Sequence, residues 1–147
     1  MELPLIGDMI TTEKAIRLCR YFKFDYLVNR IEAAPEKYAE WKFDGCSGLP
    51  DEIMGVFTGC DWREITYRCC LPHDLRYAYG EMGNEAERKA ADEELYHNLV
   101  NGAGMKKWCA SAFLAAVRIG GVETFGLSFS WSFALKPVTF RQSPDVP

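Results

Sequence analysis

The sequence predicts a mainly α domain, and three observations carry that expectation. Apolar residues recur at helical spacing over several segments between residues 12 and 119. Capping residues and glycines bracket those segments. Hydrophobic residues make up 48% of the 147, enough for an ordinary core and too many for a disordered chain. The whole chain, 1–147, is expected to be one domain. Its centre would be a pair of long antiparallel helices, with an additional helix before them and a strand-like tail after them.

The elements follow in order. Thr11 and Thr12 can cap a helix running to about Ala34, with Glu13 near its positive end. Ala15, Leu18, Cys19, Phe22 and Tyr26 form its apolar stripe. Pro35 ends that helix or starts a short second one through Trp41. Residues 43–60 hold four glycines and a proline, which reads as a structured loop. Asp61-x-x-Glu64 resembles a capping box, so a helix should follow to about Tyr79, stopped by Gly80 and Gly83. Asn84-x-x-Glu87 opens the next helix, to about Val100. A further helix, roughly Met105 to Ile119, stops at Gly120-Gly121. In the tail the period becomes two. Phe125, Leu127, Phe129, Trp131, Phe133 and Leu135 alternate with small or polar residues, as in a strand with one apolar face. That face needs cover from the chain's own helices, a second copy pairing through 125–135, or lipid. Packing on the core or in a dimer is favoured, because an uncovered strand edge is a liability.

Charge and cysteine content narrow the function classes. The net charge is −4, with no basic stripe to bind nucleic acid. No apolar run approaches the length of a membrane span. Six cysteines fit disulfides in an oxidising compartment, secreted or periplasmic. The stretch Met1 to Ala15 lacks a basic region followed by a continuous apolar core, so no secretory signal is visible. A removed leader, another export route and an intracellular protein all remain open.

The chemistry concentrates in Cys69-Cys70-Leu71-Pro72-His73-Asp74-Leu75-Arg76-Tyr77. Cys70, His73, Asp74 and Tyr77 fall at i, i+3, i+4 and i+7, on one helical face. Asp92, Leu95, Tyr96 and Leu99 repeat that spacing on the following helix, which puts a carboxylate on an apolar stripe. A buried carboxylate needs a partner. Antiparallel packing across a four-residue connection brings Asp92 within reach of His73. A carboxylate on one imidazole nitrogen fixes the tautomer and leaves the other nitrogen as a base. Asp74, beside His73, and Asp44, in the glycine-rich loop, are hard-cation ligands. Calcium takes roughly six to eight oxygens from carboxylates and backbone carbonyls on flexible loops. A Cys46–Cys70 disulfide would hold that loop beside the His-Asp turn, with Cys69 as the competing partner for Cys46. Pro72 should kink the helix or delay its start.

These residues resemble the secreted phospholipase A2 superfamily, and within it the bacterial and fungal branch. Cys70-x-x-His73-Asp74-x-x-Tyr77 matches that branch's helix signature, and Trp41-x-x-Asp44-Gly45-Cys46 with Pro50-Asp51 is similar to its calcium loop. Arg88-Lys89-Ala90-Ala91-Asp92-x-x-x-Tyr96 is similar to the second active-site helix, and Trp108-Cys109 through Ile119 loosely to the closing helix. The resemblance covers about residues 38–119 and leaves 120–147 as an extension. It implies calcium-dependent hydrolysis of the sn-2 ester of glycerophospholipids, presented as aggregates or a membrane surface. His73 would activate water and Asp92 would orient it. Asp74, Asp44 and the Gly45 carbonyl would hold Ca2+, and Tyr77 and Tyr96 would support the site. The branch's second disulfide has one matching half, Cys109, with Cys19 or Cys60 as substitutes. Two other readings stand beside this one. One is a catalytically weak, phospholipase A2-like lipid- or partner-binding protein. The other is a structural zinc site from Cys46, Cys60, Cys70 and His73.

Overall fold

A computed structural model describes residues 1–46, 59–122 and 130–137. Among them the chain is mainly helical, as the periodicity predicts. Strand β1 (Met9–Ile10) precedes α1 (Thr12–Tyr21) and α2 (Asp25–Ala33). A 3-10 turn at Pro35–Lys37 leads to β2 (Trp41–Lys42), which pairs antiparallel with β1. Pro35 thus starts a single tight turn, and Trp41, predicted helical, is extended.

One expected N-terminal helix is two. The chain breaks at Lys23, whose φ of 62° lies in the left-handed region. The Lys23 N–H donates to the Arg20 carbonyl and the Phe24 N–H to the Cys19 carbonyl. That is a Schellman stop, with a lysine where glycine is usual. Phe24 and Cys19 are both buried in one cluster, and that burial offsets the cost of a left-handed non-glycine residue, about 1–2 kcal/mol.

Helix α3 starts as Trp62–Glu64, passes through a π-helical stretch at Ile65–Cys70 and continues as Leu71–Ala78. The Asp61 side chain caps it by accepting from the Arg63 N–H at 3.0 Å. Pro72 does not delay its start, which lies ten residues earlier at Trp62. It falls where the wide π turn gives way to α geometry, so its missing N–H sits at a change of hydrogen-bond register. Helix α4 runs over Glu85–His97 and extends as a π stretch, Asn98–Gly102. The Asn84 side chain caps it at the Glu87 N–H. The two π stretches pack on each other, while farther along Tyr77 lies near Arg88, so α3 and α4 run antiparallel. Helix α5 (Lys107–Gly120) packs along α4. No helix of the described residues is long and apolar enough to cross a membrane.

Two apolar clusters meet at α3. Leu71, Leu75, Ala78 and Tyr79 join α1, α2 and the strand pair in the first. Ile65, Cys69 and Cys70 join Leu95, Leu99, Cys109 and Ala110 in the second. Leu71 and Leu75 are fully buried, each contributing about 1.5–3 kcal/mol.

In the described part of the tail, residues 130–137, a turn at 131–134 replaces the expected strand, and Leu135 keeps only an isolated antiparallel bridge to Tyr38. Trp131, Ser130 and Ser132 are all buried, so the two alternating faces do not separate. Ser132 has a φ of 64°, and its hydroxyl donates to the Gly80 carbonyl at 2.6 Å. The cause lies at the end of α3, whose last carbonyls have no partner within the helix. The Ser132 N–H donates to the Tyr77 carbonyl at 2.8 Å and the Ala134 N–H to the Ala78 carbonyl at 3.1 Å. The tail is therefore shaped by the helix end it caps. Phe125, Leu127 and Phe129, also expected in that strand, lie outside the described residues, as does most of the 43–60 loop, including Pro50 and Asp51.

Candidate active site

Helices α3 and α4 present His73 and Asp92 to each other. Asp92 is fully buried and His73 only 8% exposed. The ring nitrogen Nε2 of His73 lies 2.8 Å from Asp92 Oδ1. The Tyr77 hydroxyl donates to the same oxygen at 2.6 Å, and its ring lies beside the imidazole, 4.3 Å between centroids. The second oxygen, Oδ2, accepts from Arg118 Nη1 at 2.8 Å, and Arg88 stands 3.7 Å away.

These contacts fix the charge state of Asp92. Burial pushes its carboxyl up. Hydrogen bonds from His73 and Tyr77, the charge of His73 and the Arg118 bond outweigh burial, so its pKa falls below the ordinary value. An ionised Asp92 only accepts, so His73 presents a protonated Nε2 to it, and in the neutral imidazole the lone pair then lies on Nδ1. Burial, and then the bond to Asp92, push the Tyr77 hydroxyl up, which keeps it a donor.

A cavity of about 160 Å³ opens beside this pair. His73, Asp74 and Tyr77 form its polar side, and Leu95, Phe113, Ala116 and Val117 much of its apolar side. An apolar cavity of about 150 Å³ holds a benzene-sized group. Gly121 also lines it, and its φ is ordinary, so the glycine answers to space: a Cβ there would lie 2.6 Å from the Tyr77 ring.

Cys46 and Cys70 form a disulfide with their Cα atoms 5.5 Å apart. Cys69, the competing partner, is a buried free thiol. The bridge ties the Asp44-Gly45-Cys46 segment to the turn that carries His73 and Asp74. Gly45 takes a φ of 73°, open to glycine at little cost. Asp44 is exposed and Asp74 half-buried. Two carboxylates and a backbone carbonyl are hard oxygen donors of the kind calcium takes, so the donor chemistry fits. Among the described residues, no three His, Cys, Asp or Glu side chains lie close enough together to hold a metal ion. The disulfide also takes Cys46 and Cys70 out of the thiolate set that the zinc reading requires.

Of the residues singled out from sequence, His73, Asp74, Asp92, Tyr77, Cys46 and Cys70 converge here. Tyr96 packs with the second cluster, its ring edge against His97. Its spacing puts it on the same stripe as Asp92, but one turn further along α4. The Asp92 oxygen left by His73 and Tyr77 goes to Arg118, which the sequence did not mark: an arginine in a helix's last turn reads as a complement to the helix dipole. No family model matches the chain, and neither the curated proteins nor the solved structures provide a match.

Proposed function

We propose that this chain is a calcium-dependent phospholipase A2 that hydrolyses the sn-2 ester of glycerophospholipids. The observation that carries the reading is the buried His73–Asp92 pair, 2.8 Å apart, at the wall of a largely apolar cavity that also holds Asp74. The resemblance of the Cys70-to-Tyr77 turn supports the same reaction.

In this mechanism a water donates its proton to Nδ1 of His73 as its oxygen attacks the ester carbonyl carbon. Asp92 stabilises the imidazolium that forms. The imidazolium then returns the proton to the departing alkoxide, which releases a fatty acid and a lysophospholipid. Tyr77 holds the carboxylate and the ring in register. Asp74, Asp44 and the Gly45 carbonyl would hold calcium, which when bound supplies positive charge for the substrate phosphate and the developing oxyanion. The apolar side of the cavity, with Leu95 and Phe113, suits an acyl chain and excludes bulk water. The Cys46–Cys70 bridge suits a secreted or periplasmic protein.

The test is hydrolysis of mixed-chain phosphatidylcholine vesicles, with calcium and with a chelator. Release of the sn-2 chain that stops with the chelator is the expected result. Vesicle binding without hydrolysis would make the chain a lipid-binding protein.

A further inference from the structure

We infer that Arg118, delivered from α5 and braced by Glu85, is a positioning residue that holds Asp92 and through it the His73 ring. Asp92 Oδ1 is already shared between His73 and Tyr77, so the Arg118 bond is what fixes the carboxylate plane from its other side. Glu85 bridges the two guanidiniums. It accepts from Arg118 Nη2, and from Arg88 Nε and Nη2 at 2.9 and 3.0 Å. The hydrogen bonds from Arg88 and Arg118 lower the Glu85 carboxyl to about 2, so it stays charged. Arg88 Nη1 reaches the carbonyls of Val117 and Arg118 at 3.5 and 3.3 Å, which fastens the backbone that carries Arg118.

The arrangement differs from an ordinary surface ion pair. Glu85 is exposed and by itself worth little. Asp92 has no exposure, so an oxygen deprived of Arg118 stays out of water and the carboxylate turns to find another donor. Turning it disturbs the bond between Asp92 Oδ1 and His73 Nε2. The same stretch of α5 supplies Val117 and Gly120 to the cavity wall, so the clamp and that part of the wall are one element.

The kinetic part of this inference rests on the ester-hydrolase reading; the spectroscopic part does not. The test compares Arg118→Met and Arg118→Lys with the wild type, using the full chain at one fixed pH. The first readout is the ring Nε2–H resonance of His73 in nitrogen-15-labelled protein, where His97 is the single other histidine and serves as control. The Met variant is expected to lose that resonance to exchange with water, and the Lys variant to recover it, with His97 unchanged. The second is steady-state hydrolysis: kcat falls about 10- to 100-fold in the Met variant with KM nearly constant, and the Lys variant recovers most of it. If Arg118→Met does not fold, Glu85→Gln replaces it, with faster Nε2–H exchange expected. A His73 resonance that survives unchanged in the folded variant overturns the inference. Absence of hydrolysis in the wild type overturns the ester-hydrolase reading alone, because the resonance still reports on the clamp.

Discussion

His73 meets Asp92 through Nε2, so the ring atom left to take a proton is Nδ1. Replacing His73 with Ala removes the base, and hydrolysis should fall by about 10²- to 10⁴-fold. Asp92→Ala should also lose hydrolysis, by less, since water retains a base. Initial rates on phosphatidylcholine check both. Full activity in His73→Ala would sink the mechanism.

Asp74→Asn removes a formal charge from the proposed calcium site while keeping its shape. Calcium affinity should weaken, as read by titration calorimetry. Unchanged affinity would move the metal away from the His73-Asp74 turn.

The lowered pKa of Asp92 has a pH signature. The unfolded value is about 3.9, and the folded value lies below it. The stability from this shift is fully present above about pH 4 and drains as pH falls through the folded value. Denaturant unfolding of the wild type and Asp92→Asn, from pH 7 down to 3, should show the gap between them closing at the acid end. A gap that widens there would reverse the sign.

Gly80 faces the Trp131 indole so closely that a Cβ would lie 2.2 Å from it. Trp131 is itself pinned, its Nε1–H donating to the Glu81 carbonyl at 2.7 Å. Gly80→Ala should therefore destabilise by about 1–3 kcal/mol, with a lower melting temperature. An unshifted melting curve would mean that the tail yields without cost.

Burial pushes the Cys19 and Cys69 thiols up to about 12. Both should resist alkylation in the native protein and react only on unfolding. A non-reducing digest should return Cys46 joined to Cys70. A bridge from Cys46 to Cys69 would contradict the geometry of the site.

The parts legible in the sequence are those in which local chemistry and tertiary demand agree. Asp61 and Asn84 cap the helices they were expected to cap, and the stripe spacing together with antiparallel packing brought Asp92 to His73. The misread parts are those in which a distant partner decides. Lys23 carries no stop signal of its own; the buried Phe24 holds the break. Alternation around Trp131 looks like a strand until the bare carbonyls of α3 claim the tail's N–H groups. Arg118 escaped notice because its partner lies 26 residues away on another helix.

Helix α3 belongs to both large apolar clusters, and its Tyr77 belongs to a third around Trp131. The N-terminal helices can open without baring its α4 side, and α5 can open without baring its α1 side. Its amides should therefore be the last to exchange with deuterium, opening only when the whole molecule unfolds. Protection would rank α3 first and α1 and α5 later. The histidine would thus stand on the slowest-exchanging segment of the chain, and the arginine that steadies its partner on a faster one.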